Sequence, residues 1–153
     1  MADLVASIKW VTFPLVEVEA REDHNPEQPI GESQFSIGTA CAWDADDEDL
    51  SINLIFKQEE GKEVDEANLE YTFKIQVYST ISLSEDFHSL DENVARHLLR
   101  DMGCTIIGSV REFLSLLTSR SPWGNYTLPL IDFNELSENL YKAAKKSKDS
   151  VSD

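Results

Sequence analysis

Residues 44–49 read Asp-Ala-Asp-Asp-Glu-Asp, the densest group of acidic side chains in the chain. Carboxylate oxygens are the ligands that Ca²⁺ prefers, so a run of this kind invites comparison with a calcium loop. An EF-hand loop that begins at Asp44 requires glycine at its sixth position and glutamate at its twelfth. The sequence has Asp49 and Ile55 at those positions. The segment is therefore predicted to be a solvated turn and not a calcium site.

The histidines and cysteines offer no catalytic or metal-binding arrangement. His24, His88 and His97 are scattered along the chain. His97 and Cys104 flank a predicted helix end, but a zinc site requires at least a third protein ligand. The sequence also contains no phosphate-binding loop, no dinucleotide fingerprint and no G-x-S-x-G elbow. We therefore predict that the chain is not an enzyme and uses no metal or cofactor.

The charge of the chain restricts its partners. Asp and Glu number 29 against 13 Lys and Arg, which gives a net charge of −16. Such a surface repels phosphate backbones and anionic lipid, so nucleic acid and membrane partners are not expected. It attracts basic surfaces and basic unfolded segments instead. No apolar run approaches a membrane span and no signal pattern is found, so a cytoplasmic location is expected.

The first half of the chain predicts four β-strands. The clearest is 69–83, where apolar and polar side chains alternate and give the strand one apolar and one polar face. Residues 4–20 predict a strand with a bulge at 14–16, because Pro14 cannot donate to a ladder. Residues 35–43 and 50–56 also alternate. Strands with one polar face are typical of antiparallel sheets, so one four-stranded antiparallel sheet is predicted.

The second half changes to the 3.6-residue period of helices. Ser89 and Glu92 have the spacing of a capping box, and Gly103 is placed to end the helix that follows. A second helix is predicted at about 105–119, and a third begins after the cap Asp132. The predicted fold class is α+β, with the four-stranded antiparallel sheet followed by two or three helices packed on one side of it.

The length of 153 residues matches a single domain, which we place at 1–146 with a flexible tail at 147–153. The helix at 105–119 has an apolar face wider than that of an ordinary surface helix. It is therefore expected to contact both the sheet and a further partner. Large side chains also fall near predicted strand edges and loops, which together with this helix indicates exposed apolar strips. These side chains are Trp10, Trp43, Trp123, Tyr71, Tyr78, Tyr126 and Phe87.

The C-terminal third resembles the SecB protein-export chaperones. Residues 110–112 read Val-Arg-Glu, 119–120 read Ser-Arg, and 123–136 read Trp-Gly-Asn-Tyr-Thr-Leu-Pro-Leu-Ile-Asp-Phe-Asn-Glu-Leu. In that family an Ala/Val-Arg-Glu helix ends in Ser-Arg-Gly. An aromatic-proline turn, an alternating Leu-x-Leu segment and Val-Asn-Phe-Asp-x-Leu come next. The spacing agrees without gaps over about 95–136, whereas the first half of the chain agrees only in pattern and strand order.

The resemblance implies a SecB-like fold assembled as a tetramer, a dimer of dimers, without a cofactor. Members of the family hold unfolded preproteins in long apolar grooves lined by aromatic side chains and pass them to the SecA motor. The residues that we assign to the client groove are Phe87, Trp123, Tyr126 and Leu128. The long helix packs between dimers in this fold. The residues that we assign to the oligomer interface are Ile106, Val110, Phe113, Leu114 and Leu117.

Acidic side chains on the exposed sheet face carry the SecA contact in the family. Glu19 on the first strand matches one of them, and Glu17 is a second candidate. The fourth strand has Lys74, Gln76 and Tyr78 on the corresponding face, where the family has an acid. Three functions therefore remain open. They are a general chaperone for unfolded chains, a SecB-fold module dedicated to one partner such as an antitoxin, and an acidic mimic of nucleic acid.

Overall fold

The computed structural model describes residues 3–31, 35–58 and 67–151, with the exception of the Val151 side chain. A short 3-10 turn (Phe87–Ser89) separates the sheet from the helices. The strands are β1 (Ala6–Ala20), β2 (Phe35–Asp44), β3 (Asp49–Gln58) and β4 (Tyr71–Leu83), and the helices are α1 (Glu92–Thr118) and α2 (Phe133–Val151).

The four strands form one antiparallel sheet in the order β1-β4-β3-β2, which confirms the predicted α+β class. Alternate residues of each strand point to opposite faces. The inner face is buried beneath the two helices, and the outer face is free of them over most of its width. The inner-face side chains of β3 and β4 with an exposed fraction of 5% or less are Leu50, Ile52, Leu54, Phe56, Tyr71, Phe73, Ile75, Val77, Ser79, Ile81 and Leu83.

Strand β1 contains the predicted irregularity at Pro14. The pairing of β1 with β4 shifts between Thr12 and Leu15, because proline has no N–H to donate. After the shift Leu15 stands opposite Gln76 on the outer face, and Val16 stands opposite Ile75 on the inner face. The bulge therefore exchanges the faces of the strand, as the alternation of the sequence predicted.

A second irregularity of β1, which the sequence did not reveal, lies between Ile8 and Trp10. It places Trp10 opposite Thr80 on the outer face, where half of the tryptophan is exposed. The carbonyl oxygen of Trp10 accepts a hydrogen bond from Ser79 Oγ at 3.1 Å. This bond satisfies the one polar side chain in the apolar series of β4.

The prediction that Gly103 ends a helix is wrong. Helix α1 is continuous over 27 residues, and Gly103 lies buried within it. A Cβ atom at this position would stand 3.1 Å from Leu136 Cδ2 of α2. The glycine is therefore present because α2 crosses α1 closely there. The missing side chain was interpreted as a stop signal, whereas it permits a helix–helix contact.

The predicted capping box of Ser89 and Glu92 is also wrong. The N-cap of α1 is Asp91, whose carboxylate accepts a hydrogen bond from Asn93 N at 3.0 Å. Ser89 closes the preceding 3-10 turn, which is itself capped by Asp86. The two capping side chains are therefore Asp86 and Asp91. The spacing of Ser89 and Glu92 in the sequence identified neither of them.

Helix α2 begins as predicted. The carboxylate of Asp132 accepts hydrogen bonds from Asn134 N at 2.9 Å and Glu135 N at 3.2 Å. The helix then continues to Val151, so 147–151, which were predicted to be tail, are helical. Residues 152–153 lie outside the described part of the chain.

The two helices lie antiparallel on the inner face, with α1 over β4 and α2 over β2. Arg96 of α1 pairs with Glu138 of α2 and stacks over the Tyr141 ring at 4.7 Å. Both cysteines are free thiols. Cys41 is buried in the core, where desolvation raises the pKa of its thiol to about 12, whereas Cys104 is exposed. Within the described residues, neither helix is long and apolar enough to cross a membrane.

The crossing at Gly103 yields a matched pair of glycine substitutions. At Gly108, where a Cβ meets nothing within 4 Å, alanine should raise the free energy of unfolding by up to about 1 kcal/mol through helix propensity. Gly103→Ala should gain less, because its methyl group presses on Leu136. Gly103→Leu should destabilise by about 1–3 kcal/mol through overpacking. Urea unfolding measures all three, and equal gains at the two glycines would contradict the close crossing.

Candidate functional site

The loop between α1 and α2 is held to one end of the sheet by Trp123 and Tyr71. The indole Nε1 of Trp123 donates to Arg21 O at 2.9 Å, and its backbone N–H donates to the Tyr71 hydroxyl at 3.2 Å. That hydroxyl in turn donates to Gly124 O at 2.7 Å. Gly124 has φ +78°, a left-handed conformation that favours glycine. The ring of His24 lies edge-on to Trp123 at 4.8 Å.

Aromatic rings continue from this loop across the same end of the inner face. Tyr126 lies 6.2 Å from Tyr71 and 5.4 Å from Phe73, measured between ring centroids. Phe35, the first residue of β2, lies 6.1 Å from Phe73. We call Phe35, Tyr71, Phe73, Trp123 and Tyr126 the aromatic ridge. Tyr71 and Phe73 are buried, whereas the other three residues are only partly buried.

The structure brings together only two of the four predicted groove residues. Trp123 and Tyr126 both lie on the ridge. Phe87 is 1% exposed and follows the C-terminal end of β4. A strand of 13 residues is roughly 40 Å long, so this end lies far from Tyr71 at the start of the strand. Leu128 is 2% exposed, and its carbonyl accepts from Arg111 Nε of α1. Neither of these two side chains offers surface to a ligand in this chain.

Phe35 belongs to the ridge but was not among the predicted site residues. It pairs with Gln58 at the end of β3, and Gln58 Oε1 accepts from Phe73 N at 2.9 Å. Phe35 and Phe73 therefore share a row of the inner face. The alternation of β2 and β4 indicates the shared face, but the row depends on the register of β3 between them, which the sequence pattern does not fix.

The five predicted interface residues divide into two groups. Ile106, Val110 and Leu114 are fully buried in the core of the chain itself. Phe113 and Leu117 lie beside this buried face and retain exposed surface, with Leu117 42% exposed.

Phe113 and Leu117 belong to an apolar surface that α1 shares with β1. The Phe113 ring stacks on Phe13 of β1 at 4.4 Å. One turn later on α1, Leu116 is 66% exposed, and Val16 of β1 is 37% exposed although it lies on the inner face. We call Phe13, Val16, Phe113, Leu116 and Leu117 the α1–β1 strip. The width of the apolar face of α1 predicted this surplus.

The two glutamates proposed for motor docking lie on the outer face of β1, and both are exposed. Glu17 stands opposite Lys74 of β4, and Glu19 stands opposite Thr72. The fourth strand therefore adds a positive charge beside Glu17 and no acid beside either residue.

The acidic run is a turn between β2 and β3, as predicted. Asp44 Oδ1 accepts from the backbone N–H of Asp46 at 3.0 Å, and Asp49 pairs with Lys9 at 2.8 Å. Over 3–31, 35–58 and 67–151, no three His, Cys, Asp or Glu side chains are placed to hold a metal ion together.

No protein-family model and no curated protein matches the chain. Among solved structures, it is similar to the SecB-like chaperone Rv1957 of Mycobacterium tuberculosis, in complex with a ChAD peptide from the Rv1956 HigA1 antitoxin. The identity is 14%, the TM-score is 0.60, and the match covers 83% of this chain and 91% of that one. A protein of unknown function from Streptococcus agalactiae matches with 13% identity and a TM-score of 0.45, over 84% of this chain and 100% of that one.

The chain therefore has a SecB-like fold, which confirms the resemblance noted in the sequence. Its four-stranded antiparallel sheet and two inner-face helices correspond to that architecture.

The Tyr71 hydroxyl should control the stability of the loop that carries the ridge. Tyr71→Phe removes the partner of both Trp123 N and Gly124 O, so we expect a loss of about 1–3 kcal/mol and faster hydrogen exchange at the Trp123 amide. Tyr78→Phe on the outer face of β4 is the control and should leave both unchanged. A Tyr71 variant as stable as its parent would contradict this role.

Burial raises the pKa of the Tyr71 hydroxyl above its ordinary value of 10.0. The unfolded chain then loses this proton at lower pH than the folded chain, so the stability due to Tyr71 is complete below pH 10.0 and declines as pH rises above it. The phenylalanine variant should lack this part of the alkaline decline.

Proposed function

We propose that this protein is a SecB-like chaperone that holds extended, non-native polypeptide segments on the aromatic ridge. The observation that carries the proposal is the arrangement of three partly exposed rings, Phe35, Tyr126 and Trp123, over the buried rings of Tyr71 and Phe73. Two lines support it. Exposed apolar surface of this kind marks a binding region, and the fold is shared with a chaperone solved with a bound peptide.

The ridge suits an extended chain for a physical reason. Aromatic side chains provide large apolar contact area at low cost in conformational entropy, and only non-native polypeptides expose apolar side chains in extended form. The net charge of −16 favours segments that also carry basic residues. Affinity then comes from several weak contacts along one client, so no single ring is expected to be decisive.

We propose further that the α1–β1 strip is the contact between copies of the chain in a tetramer. Its exposed leucines, Leu116 and Leu117, continue the apolar face of α1 beyond the part that the chain itself covers. Burying them against the same surface of a second copy would remove both from water, and a self-complementary patch is what a two-fold dimer requires.

A dedicated binding module is the second candidate, because the similar structure from Mycobacterium tuberculosis contains a peptide of an antitoxin. A module of this kind binds one sequence tightly and assorted unfolded chains poorly. Docking to a SecA-type motor is not part of the proposal, because Lys74 faces Glu17 on the outer sheet. An acidic mimic of nucleic acid is not favoured either, because the carboxylates at the two ends of the acidic run are engaged, Asp44 by the N–H groups of its own turn and Asp49 by Lys9.

Ring removal on the ridge should weaken client binding. A polypeptide that is kept unfolded by reduction and alkylation should bind, whereas its native form should not. Phe35→Ser and Tyr126→Ser should each weaken that binding by roughly tenfold, which corresponds to about 1.4 kcal/mol. The control is Leu130→Ser, because Leu130 is 96% exposed and lies off the ridge.

Titration calorimetry at two salt concentrations would measure these affinities. If the parent protein is folded and binds neither form, the general chaperone function is excluded and the dedicated module remains. If Leu130→Ser weakens binding as much as the ridge variants, the site lies elsewhere.

Charge on the α1–β1 strip should separate the copies. A glutamate at Leu116 or Leu117 places an unpaired charge in the proposed contact, so the mass in light scattering should fall from tetramer towards smaller species. Val94→Glu is the matched control, because Val94 is 43% exposed on the same helix but far from the strip. A tetramer that survives both leucine variants would exclude the strip as the interface.

A further inference from the structure

A cavity of about 610 Å³ lies at the β2 edge of the sheet, where residues of the sheet meet the C-terminal half of α2. This volume falls within the ~300–1,000 Å³ range of small-molecule sites. The residues that line it are Thr39, Ala40, Cys41, Ala42, Ser51, Asn53, Tyr78, Ala143, Lys146, Ser147 and Ser150.

The cavity exists because the outer-face side chains of β2, β3 and β4 differ in size. On β2 the outward positions are small, with Ala40 and Ala42 at the cavity. Across β3 the same row continues from Ala40 through Asn53 to Tyr78 of β4. The floor therefore rises from alanine to tyrosine, and Ser147 of α2 forms part of the opposite wall. The strand segment along the cavity is four residues, or roughly 10 Å, which matches the length of a bicyclic aromatic ring with a short substituent.

The lining of the cavity contains a positive charge, whereas the whole chain has a net charge of −16. The chain has 29 carboxylate side chains, yet none of the lining residues within 3–31, 35–58 and 67–150 is acidic. The one charged group is the ammonium of Lys146, which forms no ion pair with any residue that the structure describes. The other polar groups of the lining are uncharged, namely the amide of Asn53 and the hydroxyls of Thr39, Ser51, Tyr78, Ser147 and Ser150.

We propose that this cavity is a binding site for a small organic carboxylate with a flat apolar body. The body would lie against Ala40, Ala42 and Ala143, and the carboxylate would pair with Lys146 at the rim. A cation is disfavoured there because it would face Lys146 without a compensating acid. None of the residues that line the site belongs to the aromatic ridge, so the site stands independently of the proposed polypeptide-binding function.

Three probes with the same ring and different charge test the site. They are naphthaleneacetate, naphthaleneacetamide and naphthalenemethylamine, which is a cation at neutral pH. Chemical shifts of the backbone amides of the full chain would report where each probe binds. The acetate should shift amides of β2 and α2 around the cavity, and should bind on the order of fivefold more tightly than the amide. The cation should bind most weakly, although the net charge of −16 attracts it everywhere else.

Two variants and a control separate the cavity from the rest of the surface. Lys146→Gln should abolish the preference for the acetate over the amide. Ala40→Leu should fill the floor and weaken both probes by about tenfold or more. Lys142→Gln removes an equal charge from α2 outside the cavity and should change nothing. Melting temperatures of the variants would verify that each remains folded.

The outcomes either support or overturn the site. Shifts confined to the cavity, with the order acetate, amide, cation and loss of that order in Lys146→Gln, support it. No shifts at the cavity at millimolar probe, a cation that binds as tightly as the acetate, or equal effects of Lys146→Gln and Lys142→Gln would each overturn it. None of these results depends on whether the protein binds unfolded polypeptides.

Discussion

The structure depends on β4, which has a strand on each side and a helix layer over its inner face. Its backbone pairs with β1 on one side and β3 on the other. Every second side chain from Tyr71 to Leu83 is buried. A shift of register by one residue would turn this whole set towards solvent. The position of β4 therefore fixes the row in which Phe73 stands opposite Val18 of β1 and close to Phe35 of β2. The ridge and the cavity are both consequences of that register.

Sequence reasoning located the elements of the fold because their signals are periodic and local. The alternation of β4, the bulge at Pro14 and the cap at Asp132 were all predicted and are present. It failed at Gly103 for a physical reason. A glycine can end a helix because it adopts the left-handed conformation of the C-cap, or it can lie inside a helix because a second helix packs closely against it. The sequence around the glycine does not distinguish these two cases. Leu136, which makes the difference, is distant in sequence.

The candidate site was predicted only in part for a related reason. Sequence indicates that a side chain is large and apolar, but not how far it lies from another one. Trp123 and Tyr126 are neighbours in the chain and remain neighbours in space. Phe87 is equally aromatic, yet it lies at the other end of β4 and inside the core. For α1, the pattern predicted a surplus of apolar surface, but it did not show that Leu116 and Leu117 stay exposed beside the buried side chains of Leu114 and Thr118.

The two irregularities of β1 have a consequence for aggregation. An unpaired edge strand is a template on which further strands can add without limit, which is how fibrils grow. In β1 the shifts at Ile8/Trp10 and Thr12/Leu15 divide that edge into short regular pieces, and Pro14 removes one of its donors. An incoming chain can therefore form only a few consecutive backbone hydrogen bonds there. The edge of β1 is therefore a poor template for amyloid growth, even where aggregation-prone chains are present at high local concentration.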